Sequence, residues 1–161
     1  MRRTTVQGVD RCMEILSGSC RFGLWFVRVQ WNDASIYEVR FATTGIPGNV
    51  PDLIRQYCAG QVVSPENLDS AATHEDSVYS RIYLAVQQVP YGSTTTYGEI
   101  AAIVMTSPRV VGQAMARNPT PLVIPCHRVL AVDGIGGFSP EIAIKESLLA
   151  MEKKGLQKVK R

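Results

Sequence analysis

In the stretch PLVIPCHRVL, Pro121 to Leu130, a thiol and an imidazole stand on neighbouring residues, Cys126 and His127, at the end of an apolar run. A cysteine attacks as its thiolate, which needs a nearby base or positive potential. An imidazole is suited to that work near neutral pH. Adjacent residues point in different directions, so a bridging water fits this pair as well as a direct hydrogen bond. The imidazole in turn needs a carboxylate to orient it, and the downstream candidates are Asp133, Glu141, Glu146 and Glu152. A buried, inert cysteine acting as a small apolar core residue fits the same stretch.

Beside the thiol runs AVDGIGGFSP, with Gly134, Gly136 and Gly137. Such a loop can wrap a small planar ligand or lie plainly on the surface, and it lacks the spacing of a phosphate loop. The remaining cysteines are Cys12, Cys20 and Cys58, and the other histidine is His74. Their irregular spacing disfavours both a disulfide framework and a zinc site, which usually shows tight pairs. The expectation is a protein without metal or cofactor.

The chain of 161 residues suits one ordinary domain or two small ones. With 45% apolar and 19% charged residues it reads as folded. No apolar run approaches the roughly 20 residues that span a bilayer, and MRRTTVQGVDRC has no apolar core after its basic start. These features point to a cytoplasmic location, or a nuclear one in a cell with a nucleus. Net charge is +3, too mild by itself to indicate nucleic acid. Between Arg81 and Arg128, however, four arginines (with Arg109 and Arg117) face a single acid, Glu99. Such a segment could lie on phosphates, or be an ordinary solvated face.

RFGLWFVRVQW and ASIYEVRF, joined through Asn32-Asp33, read as a β-hairpin. PDLIRQYCAG reads as a short helix between Pro51 and Gly60, and a domain boundary falls near Thr73 to Asp76. SVYSRIYLAVQQV aligns Val78, Ile82, Ala85 and Val89 on one helical face. Thr96 with Glu99 predicts a capping box. Ser107 and Pro108 restart a helix after a tight turn. The two helices form a candidate helix-turn-helix, although many such helical hairpins bind nothing. Gly112, Ala114 and Ala116 make the second helix small-faced, and Arg109 sits in its first turn, where the helix dipole disfavours a cation. PEIAIKESLLAMEKKG predicts a final helix that packs through Ile142, Ile144, Leu148, Leu149 and Met151 and stops before Gly155, with a frayed basic tail.

NPTPLVIPCHRVL, GIGGFS and KESLLAMEK, together with TTTYGEIA and RVVGQAMARNP in order and spacing, resemble the O6-alkylguanine-DNA alkyltransferase family from about Val78 to Glu152. The resemblance implies a mixed α/β (α+β) fold. Residues 1–75 would form a small N-terminal α/β domain with an antiparallel sheet, ribonuclease H-like. Residues 76–161 would form a helical helix-turn-helix domain, winged-helix-like, that binds DNA and accepts the alkyl group. It implies a single-turnover methylated-DNA–protein-cysteine S-methyltransferase, probed by double-stranded DNA containing O6-alkylguanine, entered from the minor groove by a monomer, with no membrane partner. Cys126 would accept the alkyl group, His127 deprotonate it through a water, and Glu152 orient His127. Asn118 would brace the active-site turn. Tyr97 would donate toward guanine N3 and press on a phosphate. Val129 and Cys126 would offer carbonyls to the guanine amino group, and Ser139 would contact O6, with Phe138 and Gly137 completing the pocket. Thr95, Thr96, Gly112 and Arg117 would face DNA, and Arg109 would fill the gap left by the flipped nucleotide.

Phe138 stands where relatives often carry Tyr, and Pro140 where many have Gly, which would stiffen the loop. The link from Tyr97 to Arg109 is shorter than in animal relatives. Two rival readings remain: a lesion-binding module without transfer, against which Cys126 argues, and a cysteine hydrolase.

Overall fold

Branched and aromatic residues build a three-stranded antiparallel sheet in the order β1 (Leu16–Phe22), β2 (Trp25–Trp31), β3 (Ile36–Ala42). The computed structural model describes residues 14–160, so Cys12 lies outside the described residues. Alternation along β2 and β3 turns Val27, Val29, Val39 and Phe41 inward, each fully buried aliphatic chain contributing about 1.5–3 kcal/mol. The expected hairpin through Asn32-Asp33 forms as the antiparallel pair β2 and β3, but its first arm is shorter than expected. RFGLWFVRVQW is not one arm, because the chain reverses at Gly23-Leu24 and pairs Phe22 with Trp25. The first strand, LSGSCRF, is rich in small and polar residues and so lacks the usual strand signal.

Helix α1 (Asp52–Cys58) begins after Pro51 and buries Ile54, Tyr57 and Cys58. Two short 3-10 turns follow, Pro65–Asn67 and Ala71–Thr73. Helix α2 (Val78–Gln87) starts at a Ser77–Ser80 capping box. The two-residue strand β4 (Thr95–Thr96) leads into α3 (Tyr97–Val104), and α4 (Pro108–Ala116) follows, its first turn capped by Ser107 Oγ accepting from Val110 N at 3.2 Å. Strand β5 (Val129–Leu130) pairs in parallel with β4, setting Thr95 opposite Val129. This pairing lays the start of α3 beside the PCHR segment.

The last helix, α5 (Ile142–Val159), does not stop before Gly155 as expected. A β-carbon at that position would lie 2.5 Å from the Tyr91 hydroxyl, so glycine permits a close approach, and Leu156 packs on the core beyond it. Two apolar clusters result. One joins the sheet and α1 to Tyr91, Leu122, Val123, Ile144 and Leu148. The other joins α2, α3 and α4 to Ile124 and Val129. The PCHR segment lies between them. No helix among the described residues is long and apolar enough to cross a membrane.

Candidate active site

Cys126 opens a single 3-10 turn, Cys126–Arg128, that follows the wholly buried run Leu122–Pro125. The turn that presents it is held by side chains, Gln87 Nε2 donating to Val123 O at 3.1 Å and Asn118 bonding it twice. Asn118 Nδ2 donates to Ile124 O at 2.8 Å, and Asn118 Oδ1 accepts from Thr120 N at 3.0 Å. The thiol is 8% exposed, and that sliver opens into a cavity of about 230 Å³. Tyr97, Gly112, Met115, Ala116, Asn118 and Phe138 line this cavity around it, with Gly137 and Ser139 at the rim. The volume is below the roughly 300–1,000 Å³ of drug-sized pockets, which suits one small ring system.

Burial pushes the Cys126 thiol above its ordinary range, opposed by a hydrogen bond from the Asn118 side chain, the charge of Lys145 and backbone N–H groups. The thiol is therefore protonated at neutral pH and needs a base. His127 is 1% exposed. Burial pushes its pKa down, partly offset by Glu152, so the ring is neutral and able to accept a proton. Its Nε2 lies 2.6 Å from Glu152 Oε2, while Nδ1 is buried with no hydrogen-bond partner among the described residues. Glu152 is ionised and can only accept, which fixes the hydrogen of the neutral ring on Nε2 and leaves Nδ1 as the bare acceptor.

Of the four candidate acids, Glu152 is the one that bonds the imidazole. Asp133 and Glu146 are exposed, and Glu141 instead accepts from the Trp25 indole. Burial raises the Glu152 pKa, but hydrogen bonds and charge from His127 and Arg128 outweigh it and hold the carboxyl at about 2. Gly92 N also donates to Oε1 at 2.9 Å.

Tyr97 is half-buried at the start of α3. Burial raises its phenol pKa and the backbone N–H of Gly137 partly offsets this. Phe138 leans edge-on against Phe41 of β3, with ring centroids 5.8 Å apart, so its missing hydroxyl is replaced by packing. The peptide between Ser139 and Pro140 is cis. Val129 O already accepts from Lys145 Nζ at 2.7 Å, leaving its second lone pair.

Other expected residues sit outside the cavity. Thr96 Oγ1 accepts from Glu99 N, and Thr95 Oγ1 donates to Glu99 Oε2 at 2.9 Å. The expected capping box is thus half-formed, since the Glu99 carboxylate bonds Thr95 rather than the backbone at Thr96. Arg109 is exposed on the first turn of α4, and Arg117 caps its end, donating to Tyr79 OH at 3.1 Å. Gly112 and Ala116 face the cavity, but Ala114 turns into the core. Arg128 is no phosphate ligand. It is fully buried and bound to Glu152, to Glu66 at 2.9 Å and to Val89 O at 2.8 Å. No group of three or more His, Cys, Asp or Glu among the described residues could hold a metal.

Two neighbours of the site, Lys145 and Tyr57, carry no expectation from sequence, and Arg128, expected on a phosphate-facing or solvated segment, is instead buried against Glu152. For Lys145 a signal existed. Lys145, Leu148, Glu152 and Gly155 recur at helical spacing on the buried stripe of α5, and two charged residues on such a stripe ask for partners. Tyr57 comes from α1, and nothing local marks it.

Residues 77–154 match the family model described as 6-O-methylguanine DNA methyltransferase, DNA binding domain. A methylated-DNA–protein-cysteine methyltransferase of Sulfolobus acidocaldarius is 47% identical over 72 residues, 45% of this chain and 46% of that protein. The chain thus spans about half the length of the curated relatives it matches. The O6-methylguanine-DNA methyltransferase structure from Pyrococcus kodakaraensis superposes with a TM-score of 0.66 at 25% identity, covering 86% of this chain and 99% of that one. Mycobacterium tuberculosis OGT in complex with DNA superposes at 0.71 and 24% identity, covering 85% and 92%. The two-part α+β architecture is therefore that of these structures, and Cys126, His127 and Glu152 all lie within the segment 77–154, just under half of the chain, that matches the 6-O-methylguanine DNA methyltransferase DNA-binding domain.

Proposed function

We propose that the chain removes an alkyl group from guanine O6 in double-stranded DNA and keeps it on Cys126. The observation that carries this reading is a thiol lining a cavity of about 230 Å³ that suits one small ring system, next in sequence to an imidazole whose Nε2 lies 2.6 Å from the Glu152 carboxylate. A water carries the thiol proton to His127 Nδ1. Sulfur then attacks the alkyl carbon, the carbon–O6 bond breaks, and guanine leaves as an anion that takes a proton at N3 from Tyr97. Donors aimed at charge that develops only in the transition state are the ones that accelerate the step.

The target atom is inaccessible inside a duplex, so the base must be turned out. Arg109, exposed and unpaired by any salt bridge among the described residues, fills the gap by stacking its planar guanidinium. Gly112 and Ala116 let α4 approach the minor groove, with Thr95, Thr96 and Arg117 against the backbone. Ser139, Gly137, Phe138 and the carbonyls of Val129 and Cys126 hold the purine, and Asn118 braces the turn. The chain acts as a monomer inside the cell, with its working division near residues 75 and 76. The thioether formed has no easy hydrolytic exit, so each chain acts once.

A titration tests this. Increasing duplex containing O6-methylguanine is added to a fixed amount of protein, and repaired guanine is counted. The reading requires a plateau at one lesion per chain. Lesion binding without repair supports a binding module instead, and continued turnover of an ester or amide supports a hydrolase.

A further inference from the structure

Tyr57 lies on α1, outside the segment that matches the DNA-binding domain, yet its hydroxyl reaches the relay. It donates to Glu152 Oε2 at 2.5 Å and lies 3.2 Å from His127 Nε2. With the 2.6 Å bond from His127 to Glu152, the three polar atoms form a triangle. Tyr57 is 1% exposed, and its ring packs edge-on against Tyr91 at 6.1 Å.

We propose that Tyr57 is a positioning residue for the alkyl transfer: its hydroxyl holds Glu152 Oε2 against His127 Nε2 and so keeps Nδ1 in place to take the thiol proton. The inference rests on the reading of Cys126 as alkyl acceptor. Three side chains share Oε2, namely Tyr57 through OH, His127 through Nε2 and Arg128 through Nη2 at 2.9 Å and Nε at 3.2 Å. The charged and titratable groups facing the triangle are Arg128 and Glu66, the buried Tyr91, Cys58 beside Tyr57 on α1, and Cys126 next to His127.

Removing the hydroxyl has two effects of opposite sense. Glu152 loses one anchor, so the imidazole wanders and the limiting rate falls. The same oxygen, relieved of a donor, accepts more strongly from His127, which favours the imidazolium. The thiol then yields its proton at lower pH.

The full chain and its Tyr57→Phe variant are compared in three measurements. These are the single-turnover rate constant with free O6-alkylguanine and with duplex, the final alkylated fraction by intact mass, and the pH dependence of Cys126 alkylation by iodoacetamide, read on its peptide. Expected are a rate constant about tenfold lower on both substrates, an unchanged final fraction, and an iodoacetamide profile moved toward acid. A rate constant and profile equal to the parent's overturn the proposal. So does a loss confined to the final fraction, which a merely structural role would produce. If the parent chain takes no alkyl group from either substrate, the functional reading falls, while the iodoacetamide profile still decides the role of Tyr57.

Discussion

Gly136 lies directly against the Tyr97 hydroxyl. A β-carbon built there would sit 2.8 Å from the phenol oxygen, and the backbone holds φ at +78°, a region costly for any side chain. The glycine loop is therefore shaped to seat the Tyr97 phenol. Gly136→Ala should displace the phenol and slow transfer about tenfold or more, while far-ultraviolet circular dichroism stays that of the parent. An unchanged single-turnover rate would separate the loop from the phenol.

Lys145 is buried beneath the cavity, donating from Nζ to Val129 O at 2.7 Å and to Gly137 O at 3.2 Å. Burial lowers its pKa, and the Cys126 side chain acts the other way. Its cation opposes the upward push of burial on the thiol. For a thiol raised above its ordinary range, reaction with iodoacetamide should climb with pH through the usual thiol range without levelling off there. Lys145→Met removes the cation and both donors. It should move that profile further toward alkali, the reverse of the shift expected for Tyr57→Phe. A shift toward acid would contradict the electrostatic role.

The helical half was legible because its signals are local. Ser77, Thr96 and Ser107 each accept from the N–H of a first-turn residue, and Pro108 sits at the first helical position. Cys126 and His127 came from a local motif, whereas Glu152 is one of four candidate acids, singled out only by the family resemblance. What stayed hidden depends on contacts distant in sequence. Tyr57 and Glu152 are 95 residues apart, and Arg128 looked solvated until Glu66 and Glu152 closed on it. LSGSCRF forms a strand because β2 pairs with it along its whole length, not through its own propensity. Gly155 continues a helix that propensity would end, because Tyr91 occupies the space a side chain would need.

Acid should unfold the chain through the relay. Glu152 is held at about 2, below its ordinary 4.5, and His127 is held below its ordinary 6.5. Both folded-state values are depressed, so both contributions are present above the unfolded values. They are lost as pH falls, first as His127 is driven to charge below about 6.5, then as Glu152 protonates between about 4.5 and 2. The Glu152 part amounts to about 3 kcal/mol. Urea unfolding followed from pH 7 to pH 3 should show stability declining, and Glu152→Gln should flatten the lower part of that decline. A parallel decline in both proteins would contradict the assignment.

Arg109 makes no contact with the cavity, so its contribution should depend on the duplex. Arg109→Ala should slow transfer from duplex DNA about tenfold or more, the loss of roughly 1–2 kcal/mol of stacking compensation for the unstacked step. Reaction with free O6-alkylguanine should stay within about twofold of the parent. Equal losses on both substrates would remove the stack-filling role.

The destination of the alkyl carbon is the most direct test. Duplex DNA carrying isotopically labelled O6-methylguanine is incubated with the chain, which is then digested and its peptides weighed. The account predicts one labelled methyl on the peptide holding Cys126, none on those holding Cys20 or Cys58, and none anywhere in Cys126→Ala. Label on another residue, or a chain of unchanged mass beside repaired DNA, would contradict it.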